Sequence, residues 1–179
     1  GRQAATVVPL FGGMENIEPE FQVNALAQRL AAALGGEYRA IYAPVIAGSA
    51  EARATITSDP MIKPVVDMWE SLDLAIVGIG YSIATYGSAF IRAISEKDMD
   101  DIKNAAAAGD VCRQMFSITG EPCQLDLNAR LIAMSLEQLK RVPMVVAIAG
   151  GKVKAKAILG ALRGGYTKFL ISDEATVRY

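Results

Sequence analysis

The chain has 179 residues, 52% hydrophobic and 21% charged, with 18 lysines and arginines against 19 aspartates and glutamates and a formal net charge of −1. That balance excludes a nucleic-acid-binding surface spread over the whole chain, and no apolar run approaches the ~18 residues of a membrane-spanning helix. Histidine is absent, which removes Ser-His-Asp and Cys-His catalysis and nearly all imidazole-ligated metal sites.

A chain of this length buries roughly two thirds of its unfolded surface, enough for one compact domain over residues 1–179. The first residues, Gly1, Arg2, Gln3 and Ala4, lack signal-peptide form. Cys112 and Cys123 lack metal-ligand spacing and read as free thiols of a cytoplasmic protein.

In chain order, residues 6–10 (TVVPL) predict a strand. Residues 20–34 (EFQVNALAQRLAAAL) predict a helix with Phe21, Ala25, Leu26, Leu30, Ala33 and Leu34 on one face. A second strand follows at 38–42. Ser58 and Asp59 before Pro60 mark a helix over 60–72, and 73–77 (DLAIV) predict a third strand. Ser95 with Asp98 has the form of a capping box for a helix over 96–107. The pattern then changes: 111–117 and 128–134 read as strands of an antiparallel excursion around a turn at 120–122. Ser135 with Gln138 is a second capping box, opening a short helix. Residues 142–149 (VPMVVAIA) predict an apolar strand and 152–163 a helix closed by Gly164 and Gly165. A last strand spans 168–171, and Ser172 or Asp173 caps a final helix. The alternation predicts an α/β fold, a mostly parallel sheet with helices on both faces and a small antiparallel excursion. The unbroken apolar run at 145–149 agrees with burial on both sheet faces.

Three predicted strands run directly into glycine: 6–10 into Gly12 and Gly13, 73–77 into Gly78 and Gly80, and 142–149 into Gly150 and Gly151. In a parallel sheet these loops lie at the carboxyl edge, where open α/β folds bind ligands. After the third loop, Lys152 and Lys154 stand in a first helical turn, where the dipole disfavours cations. A bound anion would offset that, giving a phosphate clamp of backbone N–H groups and a lysine ammonium. The other reading is a tight turn with solvated lysines, Lys156 continuing the stripe. The second loop lacks the full dinucleotide fingerprint, and without histidine Ser82 has no usual base for a nucleophile elbow. Residues 81–87 are polar and read as a ligand-covering loop or a plain surface loop. Gln22 and Asn24, near the start of the first helix, either read sugar hydroxyls or are solvated. Asp110, after Gly109, either faces the sheet edge or belongs to a helix-terminating turn. Asp173 and Glu174 read as helix caps. No carboxylate metal cluster or paired catalytic carboxylates stand out. The residues alone thus reach a small anionic polar ligand, bound without metal, cofactor or evident catalytic machinery.

Seven segments taken in order resemble one family: VVPLFGG (7–13), EFQVNALAQRLAAALGGEY (20–38), SLDLAIVGIG (71–80), GDVCRQMF (109–116), LNARLIAMSLEQLKRVP (127–143), AIAGGKVKAKAILGALRGG (147–165) and LISDEAT (170–176). The chain is similar to the effector-binding domain of SorC-type bacterial transcriptional regulators, related to the DeoR type. The resemblance implies a Rossmann-like three-layer αβα fold, akin to sugar-phosphate isomerases and CoA transferases. It implies a non-enzymatic domain that binds a sugar, sugar phosphate or polyol, assembles as a dimer or tetramer, and controls operator DNA through an N-terminal helix-turn-helix.

Position by position, the resemblance implies Lys154 at the phosphate, with Gly150 and Gly151 as backbone donors. It implies Asp110 as acceptor of sugar hydroxyl hydrogen bonds and Gln22 reaching the sugar, with Asn24 close by. Gly12 and Gly13 match the first strand-end loop, Gly78 and Gly80 the second. Two positions depart. Phe11 stands where some bisphosphate-sensing relatives carry arginine, which favours a monophosphate or neutral sugar, and Ala129 replaces an aspartate frequent in relatives. The helix-turn-helix, and an early strand whose threonine-bearing glycine loop supplies part of the relatives' phosphate site, are not in this sequence. An enzyme reading on the same fold, a sugar-phosphate isomerase or deaminase, would make Asp110 or Glu174 the base.

Overall fold

The computed structural model describes residues 4–15, 17–81, 90 and 93–178. Strands β1 (Thr6–Val7) and β2 (Glu37–Tyr38) pair in parallel, Thr6 opposite Glu37. Helix α1 (Val23–Leu34) connects them. Its predicted first turn is instead a 3-10 turn, Pro19–Phe21, because Gln22 is extended (φ −63°, ψ 142°) and breaks the helical run. Gly35 ends α1 at φ 64°, a left-handed conformation that glycine adopts without a Cβ clash.

Helix α2 (Ala50–Ser58) is absent from the sequence reading. Its run AEARATITS has no continuous apolar stripe and is rich in β-branched residues, yet Ser49 caps it by accepting from the Ala52 N–H at 3.1 Å. The predicted helix at 60–72 resolves into α3 (Lys63–Met68) and a 3-10 turn, Trp69–Ser71.

Strands β3 (Leu74–Gly78) and β4 (Gly80–Tyr81) follow, then α4 (Glu96–Asn104), which carries the expected Ser95–Asp98 capping box. The strand expected at 111–117 is two strands. β5 (Gly109–Val111) and β6 (Gln114–Phe116) form a hairpin through a two-residue turn at Cys112 (φ 51°) and Arg113 (φ 66°). Neither turn residue is glycine or asparagine, so the usual hairpin signal is missing. The strand expected at 128–134 is also corrected. A 3-10 turn, Asp126–Arg130, precedes an extended segment with single bridges from Leu131 to Ile46 and Ala133 to Phe11. All four side chains from Leu131 to Met134 are buried, so the run reflects burial in the core and not pairing along a ladder.

Helix α5 (Leu136–Arg141) has the expected Ser135–Gln138 capping box. Then come β7 (Met144–Ile148), a 3-10 turn at Lys152–Lys154, α6 (Ala155–Arg163), β8 (Phe169–Ile171) and α7 (Glu174–Val177). The strands form two parallel sheets, β1-β2 and β3-β7-β8, and one antiparallel sheet, β4-β5-β6. The fold is thus mixed α/β, mostly parallel, with a small antiparallel excursion.

The main core packs the inner face of the three-stranded sheet (Ala75, Val77, Val145, Ala147) against Val65, Trp69, Leu139 and the small residues of α6. The Trp69 indole N–H donates to the Pro9 carbonyl at 2.9 Å. The opposite face is uncovered: Leu74, Ile76, Met144, Ile148, Phe169 and Ile171 are 44–57% exposed. Burial on both faces, expected from the apolar run at 145–149, therefore does not hold for these residues. Alternation along β3 and β7 follows from the period of two, which sends successive side chains to opposite faces.

The hairpin and α6 interlock. Gly160 sits against the Ser117 carbonyl and the Phe116 ring, where a Cβ would not fit. Tyr166, fully buried, donates its hydroxyl to the Gly120 carbonyl at 2.6 Å and tilts its ring 5.2 Å from that of Phe116.

Candidate functional site

β3 and β7 end side by side, Gly78 paired with Ile148. Beyond β3 the chain passes through Ile79 into β4, whose Gly80 pairs with Asp110 of β5. The carboxylate of Asp110 lies over Gly80 in the space a Cβ would take. Gly109 is bare for a similar reason, because Ala157 of α6 packs directly onto it. Beyond β7, Gly150 and Gly151 (φ 99°) lead through the 3-10 turn to Lys154 and α6.

These loops open onto a cavity of about 540 Å³, within the ~300–1,000 Å³ usual for small-molecule sites. Its walls are apolar, from Val7, Leu10, Leu26, Leu30 and Ile76 among others, and Asp110, Arg113 and Lys154 supply its charged groups. Asp110 is 5% exposed and accepts the Arg113 backbone N–H at 3.2 Å. Burial pushes its carboxyl above the usual range, against the positive charges of Arg113 and Lys154. The Lys154 ammonium lies 5.9 Å from the Tyr81 ring centre, at cation–π range. Cys112 also lines the cavity. Burial and the Asp110 charge push its thiol up to about 12.

Of the residues singled out in the sequence, Gly78, Gly80, Asp110 and Lys154 meet at this cavity. The others are engaged elsewhere. The Gly12 N–H donates to the Ile132 carbonyl at 2.9 Å and the Gly13 N–H to the Ala43 carbonyl at 2.8 Å. Gln22 donates its amide to the Met14 carbonyl at 2.6 Å. Asn24 clamps Ile41, giving and receiving one hydrogen bond at 2.9 Å each.

The Gly151 N–H donates to Asp173 Oδ2 and Thr176 Oγ1, both at 2.7 Å. The turn expected to cradle a phosphate thus holds a carboxylate of the same chain, and Gly150 packs against that carboxylate. Hydrogen bonds from the Thr176 hydroxyl, the Gly151 N–H and the Thr176 N–H hold Asp173 below the usual carboxylate range. Asp173 is also the cap of α7.

Arg113 escaped the sequence reading, and Cys112, read there as a free thiol, was not placed at the cavity. The one available signal was an arginine just after the Asp110 strand. Ser82 to Gly87, part of the expected covering loop, lie outside the described residues. A second hollow of about 370 Å³, between α6 and α7, is lined mostly by aliphatic side chains and lacks converging charges. No group of metal-ligating side chains occurs among the described residues, and no helix among them is long and apolar enough to cross a membrane.

A family model for a sugar-binding domain matches residues 2–179. The sorbitol operon regulator of Klebsiella pneumoniae is 28% identical over 170 residues, 94% of this chain and 54% of that protein. The crystal structure of the full-length sorbitol operon regulator SorC from Klebsiella pneumoniae superposes with a TM-score of 0.90, over 97% of this chain and 56% of that one, at 28% identity. A transcriptional regulator from Streptococcus pneumoniae gives 0.91, over 97% and 66%, also at 28% identity. The chain spans about half the length of the curated relatives it matches.

Proposed function

Because the chain belongs to the sugar-binding domain family found in SorC- and DeoR-type regulators, we propose that it is the effector-sensing part of a bacterial transcription regulator, with the Asp110–Lys154 cavity as its effector pocket. The observation that carries this reading is the convergence of a buried carboxylate and an ammonium in one apolar-walled cavity at the carboxyl edge of parallel strands. Asp110 accepts hydrogen bonds from sugar hydroxyls, and Lys154 meets a phosphate or other anionic group. With the Gly151 amide held by Asp173, the anion is bound by the lysine and not by the glycine turn. Gly80 leaves the room that the Asp110 carboxylate fills, and Gly78 leaves the strand end beside it open. In this reading operator binding belongs to a helix-turn-helix outside this sequence, further chain completes the sugar-binding unit, and the regulator acts as a homo-oligomer in the cytoplasm.

A thermal-shift screen against sugar phosphates, free sugars and polyols tests the proposal. Ligand at ~100 times its dissociation constant stabilises by about 2.7 kcal/mol. A shift with phosphorylated sugars that Lys154→Ala abolishes is the expected result. A shift with free sugars that Lys154→Ala leaves intact would keep the pocket and remove the phosphate from it. Product formed from a sugar phosphate, and lost in Asp110→Asn, would mark an isomerase instead.

A further inference from the structure

The pocket holds one cation that the effector reading does not use. Arg113 occupies the second position of the β5–β6 turn at φ 66°, a left-handed conformation strained for any residue with a side chain. Its guanidinium carbon lies 5.2 Å from the centre of the Phe11 ring and 5.3 Å from that of Phe90, at cation–π range of both.

Yet the fork is not satisfied. Nε is buried and has no hydrogen-bond partner. The nearest carboxylate, Asp110, is 4.0 Å from Nη1, too far for a hydrogen bond, and takes the Arg113 backbone N–H instead. A buried donor without an acceptor is costly, and Arg113 lines the same cavity as Lys154. Two cations therefore face one carboxylate there. Nε is closed to solvent, so the exposed part of the guanidinium is the part that can meet a carboxylate or phosphate, the anions a guanidinium binds best.

We propose that Arg113 is a second oxyanion-binding group of this pocket, so that the effector is a sugar derivative with two anionic groups, one held by Lys154 and one, a carboxylate or a phosphate, by Arg113. The proposal rests on the effector-pocket reading and reverses the expectation drawn from Phe11. That ring does not leave the pocket short of a cation, since it carries one supplied by the neighbouring turn.

The test is isothermal titration of the chain with matched sets that differ only at C1. One set is glucose 6-phosphate, 6-phosphogluconate and glucose 1,6-bisphosphate; the other is the equivalent ribose 5-phosphate series. Wild type should bind a doubly anionic member at least 10-fold more tightly than its singly phosphorylated partner, and the preferred member distinguishes carboxylate from phosphate. Arg113→Gln should erase that preference, bringing the affinity for the doubly anionic member down to that for its monophosphate. Arg113→Gly, which also relieves the backbone strain, should do the same in a chain that melts no lower than wild type. A wild-type chain that binds monophosphates and bisphosphates equally overturns the Arg113 assignment alone. So does an Arg113→Gln variant that weakens every ligand equally, because Arg113 would then act by holding Asp110. Wild type binding no member of either set overturns the Arg113 assignment together with the phosphate at Lys154, and the free-sugar arm of the thermal-shift screen then decides whether the pocket itself stands.

Discussion

The carboxylate of Asp110 occupies the space over Gly80 that a side chain would need, and cross-strand pairing of the two residues holds it there. Gly80→Ala therefore forces the carboxylate out of the pocket or the strands apart. The expected cost is about 1–3 kcal/mol of stability, the range for overpacking a filled site, with affinity for sugar phosphates lowered at least ~10-fold. Melting curves with and without ligand measure both. A variant that binds normally would show that Asp110 does not contact the ligand.

Asp110 itself should trade stability against binding. Its folded pKa is raised, so the folded chain holds this proton more tightly than the unfolded chain does. Its contribution is most favourable below the unfolded value of about 3.9 and declines as pH rises through the folded value. Asp110→Asn removes the charge and should raise the melting temperature of the free protein at pH 7 while flattening that decline. Affinity should drop roughly 10- to 100-fold, the loss of one charged hydrogen bond.

Asp98 behaves in the opposite sense. It is almost fully buried, caps α4 and pairs with Arg130. Burial pushes its carboxyl up, but hydrogen bonds from Arg130 and Ser95 outweigh that and hold it below the usual range. Its stabilisation is complete above the unfolded value of about 3.9 and is lost as pH falls through the lower folded value. Asp98→Ala should cost ~3 kcal/mol at pH 7, because it strands the partly buried Arg130 cation and uncaps the helix. Urea unfolding at pH 7 and again near pH 3 should show the gap between wild type and variant narrowing in acid.

Cys112 should be inert although it lines the cavity. A thiol pushed up to about 12 carries almost no thiolate at pH 8, and Cys123 is buried too. Alkylation followed by mass spectrometry should leave both thiols unmodified in the native chain and modify both in denaturant. Rapid labelling of Cys112 in the folded protein would contradict the burial of the β5–β6 turn.

Much of this was legible in the sequence, for reasons that differ by element. The capping boxes at Ser95 and Ser135 are local chemistry and read directly. Asp110 and Lys154, each beside glycines at strand ends, line one cavity, and their contact with a ligand is the proposal. Gln22 and Asn24 were left open because polarity near a helix start does not say whether the partner is a ligand or a backbone group. Here Met14 and Ile41 take them. The glycine turn at 151 has the form of an anion nest, and the anion it holds here is Asp173, 22 residues on, which spacing alone cannot bring there. Arg113 was hidden because its turn violates the residue preferences by which such turns are recognised.

The interlock of Gly160 with Phe116 and of Tyr166 with Gly120 joins the hairpin bearing Asp110 to the helix that begins just after Lys154. Neither element opens without breaking the other's packing, so in amide hydrogen exchange they form one cooperative unit. A ligand bridging Asp110 and Lys154 adds a further link to that unit, beside the packing of Ala157 on Gly109. The slowing of exchange should then spread along β5, β6 and α6 together and stop short of β2, which does not line the pocket and reaches it only through β1 and α1.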